Sequence, residues 1–433
     1  MLGFTLNIFP FDSTAITVTT TVWVGVVVSV FFNLRLGWTL SGLVVPGFVV
    51  PLIVTRPITA SVILLESAIT YWIVYLLSEG PRKTPYWSSF FGRDRFFVIF
   101  LVSVVVRAFM DAYFLPWVGQ MMVEDYGINF DYRNNLHSFG LILVALIANY
   151  FWKPGLMRGL PPLVTCIAIT YVIIQGILVN YTNFNVGNFH LLYEDVTESM
   201  MASPKAYIIV LTTAYIASWM NLRYAWDFNG ILIPALLGLL WHEPTKIVVS
   251  CLECFLLLGL GKLVMTTPVM RKIAIEGSRK TLYFFSICFI YRLLACHFVP
   301  ILIPSIKMTD TFGAGYLLTT LMAIKIHDKK KPISMLLGTA KVSMVGAVAG
   351  SIFGFVLVCG PRIQLGFATP VVGHNVAPLA GIDWVDRSIS SVAREDKTLL
   401  YEKRKADSYQ PPLPGELTEF RSAIELIQAM AAS

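Results

Sequence analysis

The clearest ionisable residues inside stretches that are otherwise apolar are Glu66, Arg107 and Asp111 in the first half of the chain and Glu253, Arg292 and His297 in the second. A charge in apolar surroundings is costly, so such positions are candidates for function. Arg107 and Asp111 are four apart, which lets them pair on one helix. Two readings stand: a self-neutralised pair facing a neighbouring helix, or Arg107 and Arg292 as cationic sites for carboxylates. In the second half Cys296 occupies the place of Asp111, which leaves Arg292 for an external anion or for Glu253. An unpaired Glu66 or Glu253 at such depth would be protonated. Pairing with the arginine of the same half is the simpler expectation, and a proton-coupled role is the alternative.

A second class of candidate is backbone. Gly42-Leu-Val-Val-Pro46-Gly47 and Gly230-Ile-Leu-Ile-Pro234 are expected to break a spanning helix, because proline removes an amide donor and clashes with the preceding turn. A half-helix amino terminus exposed there would favour an anionic group; a packed kink between helices is the plainer reading. The six histidines lack zinc-like spacing and Cys251-Leu-Glu-Cys254 has no second CxxC, so no metal is expected and the cysteines read as small buried side chains. There is no Walker loop and no GxSxG. No cofactor is expected, and nucleotide chemistry would have to come from another chain.

These residues must be positioned by lipid-embedded helices. Of the 433 residues 56% are hydrophobic and 14% charged, with a mean hydropathy of +0.69, where a soluble domain carries about 25% charged residues. An ordinary cytosolic enzyme, a disordered chain and a fibrous repeat are excluded. The net charge of +7 lies in loops between apolar runs, the signature of cytoplasmic loops rather than of nucleic-acid binding.

Polar punctuation divides the chain into about twelve apolar segments, near 15–33, 36–55, 58–78, 96–114, 136–152, 160–179, 206–222, 228–242, 246–265, 281–303, 312–326 and 335–358. The first reads as a retained helix rather than a cleaved signal. Basic loops (Arg82 to Arg95, Lys153 and Arg158, Arg271 to Lys280, Lys329 to Lys331) alternate with acidic ones around Glu124 to Asp131 and Glu194 to Glu198. If every segment crosses, the basic loops are cytoplasmic and both ends of the chain are outside. Loops 82–95 and 271–280 could also dock a partner or anionic headgroups.

The chain repeats itself. Asn33-Leu34-Arg35, Trp38, Gly42 and Pro46 recur with the same spacing as Asn221-Leu222-Arg223, Trp226, Gly230 and Pro234. Pro57 to Glu66 matches Pro244 to Glu253, Gly92 to Arg107 matches Gly277 to Arg292, and Gly140 to Ala148 matches Gly315 to Ala323. The expected organisation is a first membrane repeat over 1–180, a polar linker over 181–205, a second repeat over 206–359 and a polar tail over 360–433. Six segments per repeat give both the same orientation. A fainter echo of Gly42 to Pro57 in Gly140 to Pro154, three segments on, suggests a 3+3 inverted arrangement within each. The fold class is all-α, polytopic and transmembrane, with two parallel tandem repeats and Gly/Pro-interrupted helices.

Ser41-Gly-Leu-Val-Val-Pro-Gly-Phe48, Phe91-Gly-Arg-Asp-Arg-Phe-Phe97, Arg107-Ala-Phe-Met-Asp111, Gly140 to Asn149 and Pro154-Gly-Leu156 resemble, in order, the PgsC/CapC membrane protein of poly-γ-glutamate capsule synthesis. The resemblance covers about 15–180 and, through the repeat, 206–358. It implies a non-catalytic subunit of the bacterial inner membrane, working with an ATP-dependent amide ligase and an extracytoplasmic export subunit on an anionic polymer. Arg107, Asp111, Arg292, Glu66 and Glu253 would then line the polymer path, with the breaks at Gly42, Pro46, Gly47, Gly230 and Pro234 shaping it. Departures stand at Val144 and Ala145, at Cys296, and at Gly277-Ser-Arg-Lys280. The alternatives are a proton- or ion-coupled transporter of a small carboxylate and the seven-helix module associated with inactive transglutaminases.

Overall fold

The computed structural model describes residues 6–9, 18–38, 42–55, 57–79, 92–126, 140–186, 204–224, 230–268, 270–272, 275–302, 312 and 315–359. The chain divides into two units, Met1–Gly360 and Pro361–Ser433, and every described residue belongs to the first. Apolar runs in lipid must satisfy their own backbone groups, and helices do so within one segment.

The described helices are α1 Val18–Leu36, α2 Val45–Thr55, α3 Pro57–Glu79, α4 Gly92–Phe109, α5 Leu115–Tyr126, α6 Gly140–Phe151, α7 Leu156–Ile173, α8 Val179–Tyr181, α9 Pro204–Tyr224, α10 Leu232–Leu239, α11 Pro244–Met265, α12 Ser278–Leu302, α13 Tyr316–Lys329 and α14 Pro332–Cys359. π-Helical turns at Met110–Phe114 and Ile174–Leu178 join α4 to α5 and α7 to α8. Counted as continuous rods they make twelve segments, six per repeat, as the apolar pattern predicts.

Six rods are long and apolar enough to cross a membrane: 18–36, 57–78, 156–181, 244–265, 278–301 and 332–356. Four others are short. The eight residues of α10 reach about 12 Å against a hydrocarbon core of about 30 Å, and α2, α6 and α13 have 11, 12 and 14 residues. The second and fifth segments of each repeat are thus half-helices.

Pro46 of α2 and Pro234 of α10 start the helix rather than interrupt it, while Pro51 lies inside α2. Pro46 is the second residue of α2 and Pro234 the third of α10, first-turn positions where the missing amide has no intrahelical acceptor to lose. The break is the non-helical chain before them, including the Gly42–Val45 turn and Gly230 at φ +82°. α2 re-enters against α1 because two glycines let the backbones touch: a Cβ on Gly47 would lie 2.4 Å from the Val22 Cα, and one on Gly25 2.4 Å from the Gly47 amide nitrogen.

The fifth segments end alike. α6 stops at Gly155 (φ +78°), whose amide donates to the Phe151 carbonyl, and α13 stops at Lys330 (φ +56°), whose amide donates to Ile326.

The repeats are packed reciprocally. α1 lies against α12 and α9 against α4, so the first helix of each repeat covers the arginine-bearing helix of the other. The Trp23 ring stacks on Phe289 at 4.5 Å while its indole N–H donates to Ser286 (3.2 Å), and Phe97 meets Tyr215 at 5.8 Å.

These contacts place the basic helix ends on one face. Ser278 at the start of α12 donates to Asn33 near the end of α1, and Lys280 pairs with Asp328 at the end of α13. α14 runs antiparallel to α9, since Gly346 faces Thr213 and Gly350 faces Ile209, which brings Arg223 to the same face. The Phe97–Tyr215 contact adds the start of α4, and the Arg95 guanidinium over Trp152 (5.1 Å) adds the end of α6. The described loops expected to be cytoplasmic therefore share a face. Arg82 and Lys83, both acidic loops from residue 127 on, and the tail lie outside the described residues.

Candidate functional site

In each repeat the third, fourth and fifth segments pack together: α3, α4 and α6 in the first, α11, α12 and α13 in the second. The third contributes the glutamate and the fourth the arginine. Glu66 and Arg107 are buried, and Arg107 Nη1 donates to both carboxylate oxygens, Oε1 at 3.0 Å and Oε2 at 3.1 Å. Glu253 and Arg292 are also buried, and Arg292 Nη2 donates to Oε2 at 2.9 Å. The repeat thus supplies the same buried ion pair twice, between residues 41 and 39 apart.

Burying two charges costs more than their attraction returns unless the geometry is good, and removing one partner strands the other. These pairs are therefore obligate couples in the folded chain. Arg107 takes its partner across helices, from Glu66. The Asp111 side chain lies outside the described residues; its backbone is in the π-turn that follows Arg107. Arg292 has Glu253 where Cys296 stands one turn on. His297 is exposed and forms no part of the pair's buried surroundings.

The second pair has surroundings that the sequence reading missed. The Arg292 guanidinium lies over the Phe312 ring at 4.5 Å and near Tyr316 at 5.9 Å, both worth a cation–π attraction. Tyr316 is the first residue of α13 and its hydroxyl donates to the Phe285 carbonyl at 2.6 Å. Cys288, Thr319 and Thr320 line the same interior and are buried. In the first repeat the residues matching Thr319 and Thr320 are Val144 and Ala145. Phe312-Gly-Ala-Gly-Tyr316 opens this segment, and aromatic, glycine and hydroxyl residues are too common in apolar segments to single it out.

The helix-break residues position this arrangement from outside it. Gly42, Pro46 and Gly47 are buried where α2 begins beside α1, and Pro234 is buried at the start of α10 while Gly230 is half-buried. They set the depth at which the short second segments start, beside the long third ones. The five described cysteines, Cys166, Cys251, Cys254, Cys288 and Cys296, are free thiols.

At the basic face, His327 is half-buried with its ring edge-on to Phe284. Burial, reinforced by Lys280, Lys262 and Lys330, holds this imidazole below its ordinary value, with Asp328 acting the other way.

The family described as capsule biosynthesis CapC matches the chain twice, over residues 24–160 and 212–334. Each matched stretch contains one complete Glu–Arg pair. The PGA biosynthesis protein CapC of Bacillus subtilis (strain 168) is 32% identical over 133 residues, covering 30% of this chain and 76% of that protein. No solved structure matches the chain.

Proposed function

From a chain that belongs to the capsule biosynthesis CapC family, in two tandem copies, we propose a membrane subunit for synthesis and export of a poly-γ-glutamate-type polymer. The PGA named for the Bacillus relative supplies the polymer class. The protein assists a separate ATP-dependent amide ligase and hands the product to an extracytoplasmic partner. It resides in the bacterial inner membrane with the basic face toward the cytoplasm.

The observation that carries this reading is the recurrence of a buried carboxylate–guanidinium pair in both family-matched stretches, beside half-helices that begin inside the bundle. An arginine held at that depth can attract the carboxylates of a polyanion passing between the half-helices. Its resident glutamate keeps the site neutral when no polymer is there.

The test is replacement of the second pair. Arg292→Leu is expected to abolish cell-surface polymer, but it strands Glu253. Arg292→Leu combined with Glu253→Leu removes both charges and lets the protein insert in normal amount. Loss of polymer from this double variant, with its membrane level unchanged, supports the reading. Normal polymer from it overturns the role of the pair. Uptake of a small carboxylate by liposomes containing only this chain would replace the polymer reading with solitary transport.

A further inference from the structure

The two repeats finish their basic ends differently. In the second, Lys280 in the first turn of α12 pairs with Asp328 in the last turn of α13, and Lys262 of α11 and Lys330 stand near His327 beside them. The repeat spacing puts Arg95 in the place of Lys280, Trp152 in that of His327, Tyr75 in that of Lys262 and Lys153 in that of Asp328. The packing repeats: the Arg95 guanidinium of α4 lies over the Trp152 ring at 5.1 Å, and Trp152 meets Tyr75 of α3 at 6.4 Å. The charges do not repeat, because a second cation stands where the other corner has its carboxylate.

Arg95 is half-buried, and its Nε is buried with no hydrogen-bond acceptor among the described residues. Stacking on the indole fixes the plane of the guanidinium, but a buried N–H without an acceptor is costly. Lys153 is exposed next to Trp152. Arg158, also exposed, lies in the first turn of α7, which Tyr150 holds on α6 by donating its hydroxyl to the Gly159 carbonyl at 2.9 Å. Among the described residues this corner thus carries Arg95, Lys153 and Arg158 and no carboxylate. Its other side is a wall for lipid. α3 is one of the long apolar spans, and near its end Trp72 and Tyr75 are exposed, ring to ring at 6.2 Å. Exposed Trp and Tyr at the end of a span sit at headgroup level. Arg95, Trp152, Tyr75 and Trp72 therefore run without a gap from a cationic plane to a lipid-facing aromatic surface.

We infer that this corner of the first repeat binds the headgroup of an anionic phospholipid, and that Asp328 fills the matching corner of the second repeat as a built-in counter-ion. The inference does not depend on the polymer proposed above. A free anion would use only the cationic end of the run, whereas a phospholipid uses both ends. Its phosphate oxygens accept from the planar fork of Arg95, and its glycerol and acyl chains follow α3. Lys153 and Arg158 add attraction from the aqueous side.

The full chain in detergent, titrated with phosphatidylglycerol or phosphatidylcholine and read by native mass spectrometry, should bind the anionic lipid more tightly. Arg95→Gln and Lys153→Gln should each weaken phosphatidylglycerol about fivefold, the order expected for one basic residue at a membrane surface, and leave phosphatidylcholine unchanged. Lys153→Asp gives Arg95 the carboxylate that Lys280 has, and should remove the preference for the anionic lipid. Lys153 is exposed, so this variant keeps the fold even if Arg95→Gln does not. Lys280→Gln, at the corner that Asp328 fills, should leave phosphatidylglycerol binding as it is. Equal affinity for the two lipids in the native chain overturns the inference, as does an undiminished preference in Lys153→Asp or an equal loss in Lys280→Gln. Inorganic phosphate is the remaining arm: if it displaces phosphatidylglycerol at equal concentration, the corner is a site for a free anion and the lipid assignment falls.

Discussion

At the scale of single residues, the chain's few buried charges are organised as couples. Arg107→Leu removes the guanidinium half of the buried pair with Glu66, an expected loss of about 3–5 kcal/mol. Adding Glu66→Leu should return most of it, read as the melting temperature of detergent-purified protein. His327 carries a separate prediction. Its folded value lies below its unfolded one of about 6.5, so the unfolded chain takes up the proton first as pH falls. Stability at this corner is full above that value and is lost as pH drops through it toward the folded value. Hydrogen exchange of residues 327–331, corrected for intrinsic rate, should quicken between pH 7.5 and 6 in the native chain; His327→Gln should flatten the change. The residues that could be read in advance were Glu66, Arg107, Glu253 and Arg292, because a charge in an apolar run stands out. Phe312, Tyr316 and Thr319 could not, because apolar and hydroxyl residues are the background of such segments.

At the scale of elements, the half-helices depend on close backbone approach. Gly47→Val would put side-chain carbon where the Val22 Cα and the Thr21 carbonyl oxygen already stand. The expected result is a loss of about 1–3 kcal/mol and faster proteolysis at the α1–α2 junction. The fifth segments offer the opposite sign. Lys330 holds at φ +56° the place that Gly155 fills in the first repeat, and a left-handed lysine costs about 1–2 kcal/mol. Lys330→Gly should therefore raise the melting temperature. The twelve segments were legible from hydropathy, and the short ones from their Gly/Pro punctuation. That Pro46 and Pro234 open a helix rather than kink one was not, since proline is compatible with both and only the register of the first turn distinguishes them.

At the scale of the whole molecule, the basic ends of both repeats share a face, and α14 runs from that face to the opposite one. Alkaline phosphatase fused directly after Cys359 should be active outside the cytoplasm, and the same reporter inserted at Lys330 should be inactive; equal activity at both sites would contradict the crossing of α14. The sequence by itself determined that the solvent is lipid, that the unit is duplicated, and that Glu66, Arg107, Glu253 and Arg292 stand in apolar runs. Composition, period and spacing are local or translational properties that survive without coordinates. Only the tertiary structure decided that each arginine pairs across helices, that the first helix of each repeat packs on the fourth of the other, and that Glu253 Oε1 has no hydrogen-bond donor among the described residues. Those facts depend on how side chains some forty to 260 residues apart come within a few ångströms, and helix packing sets such distances where no sequence interval does.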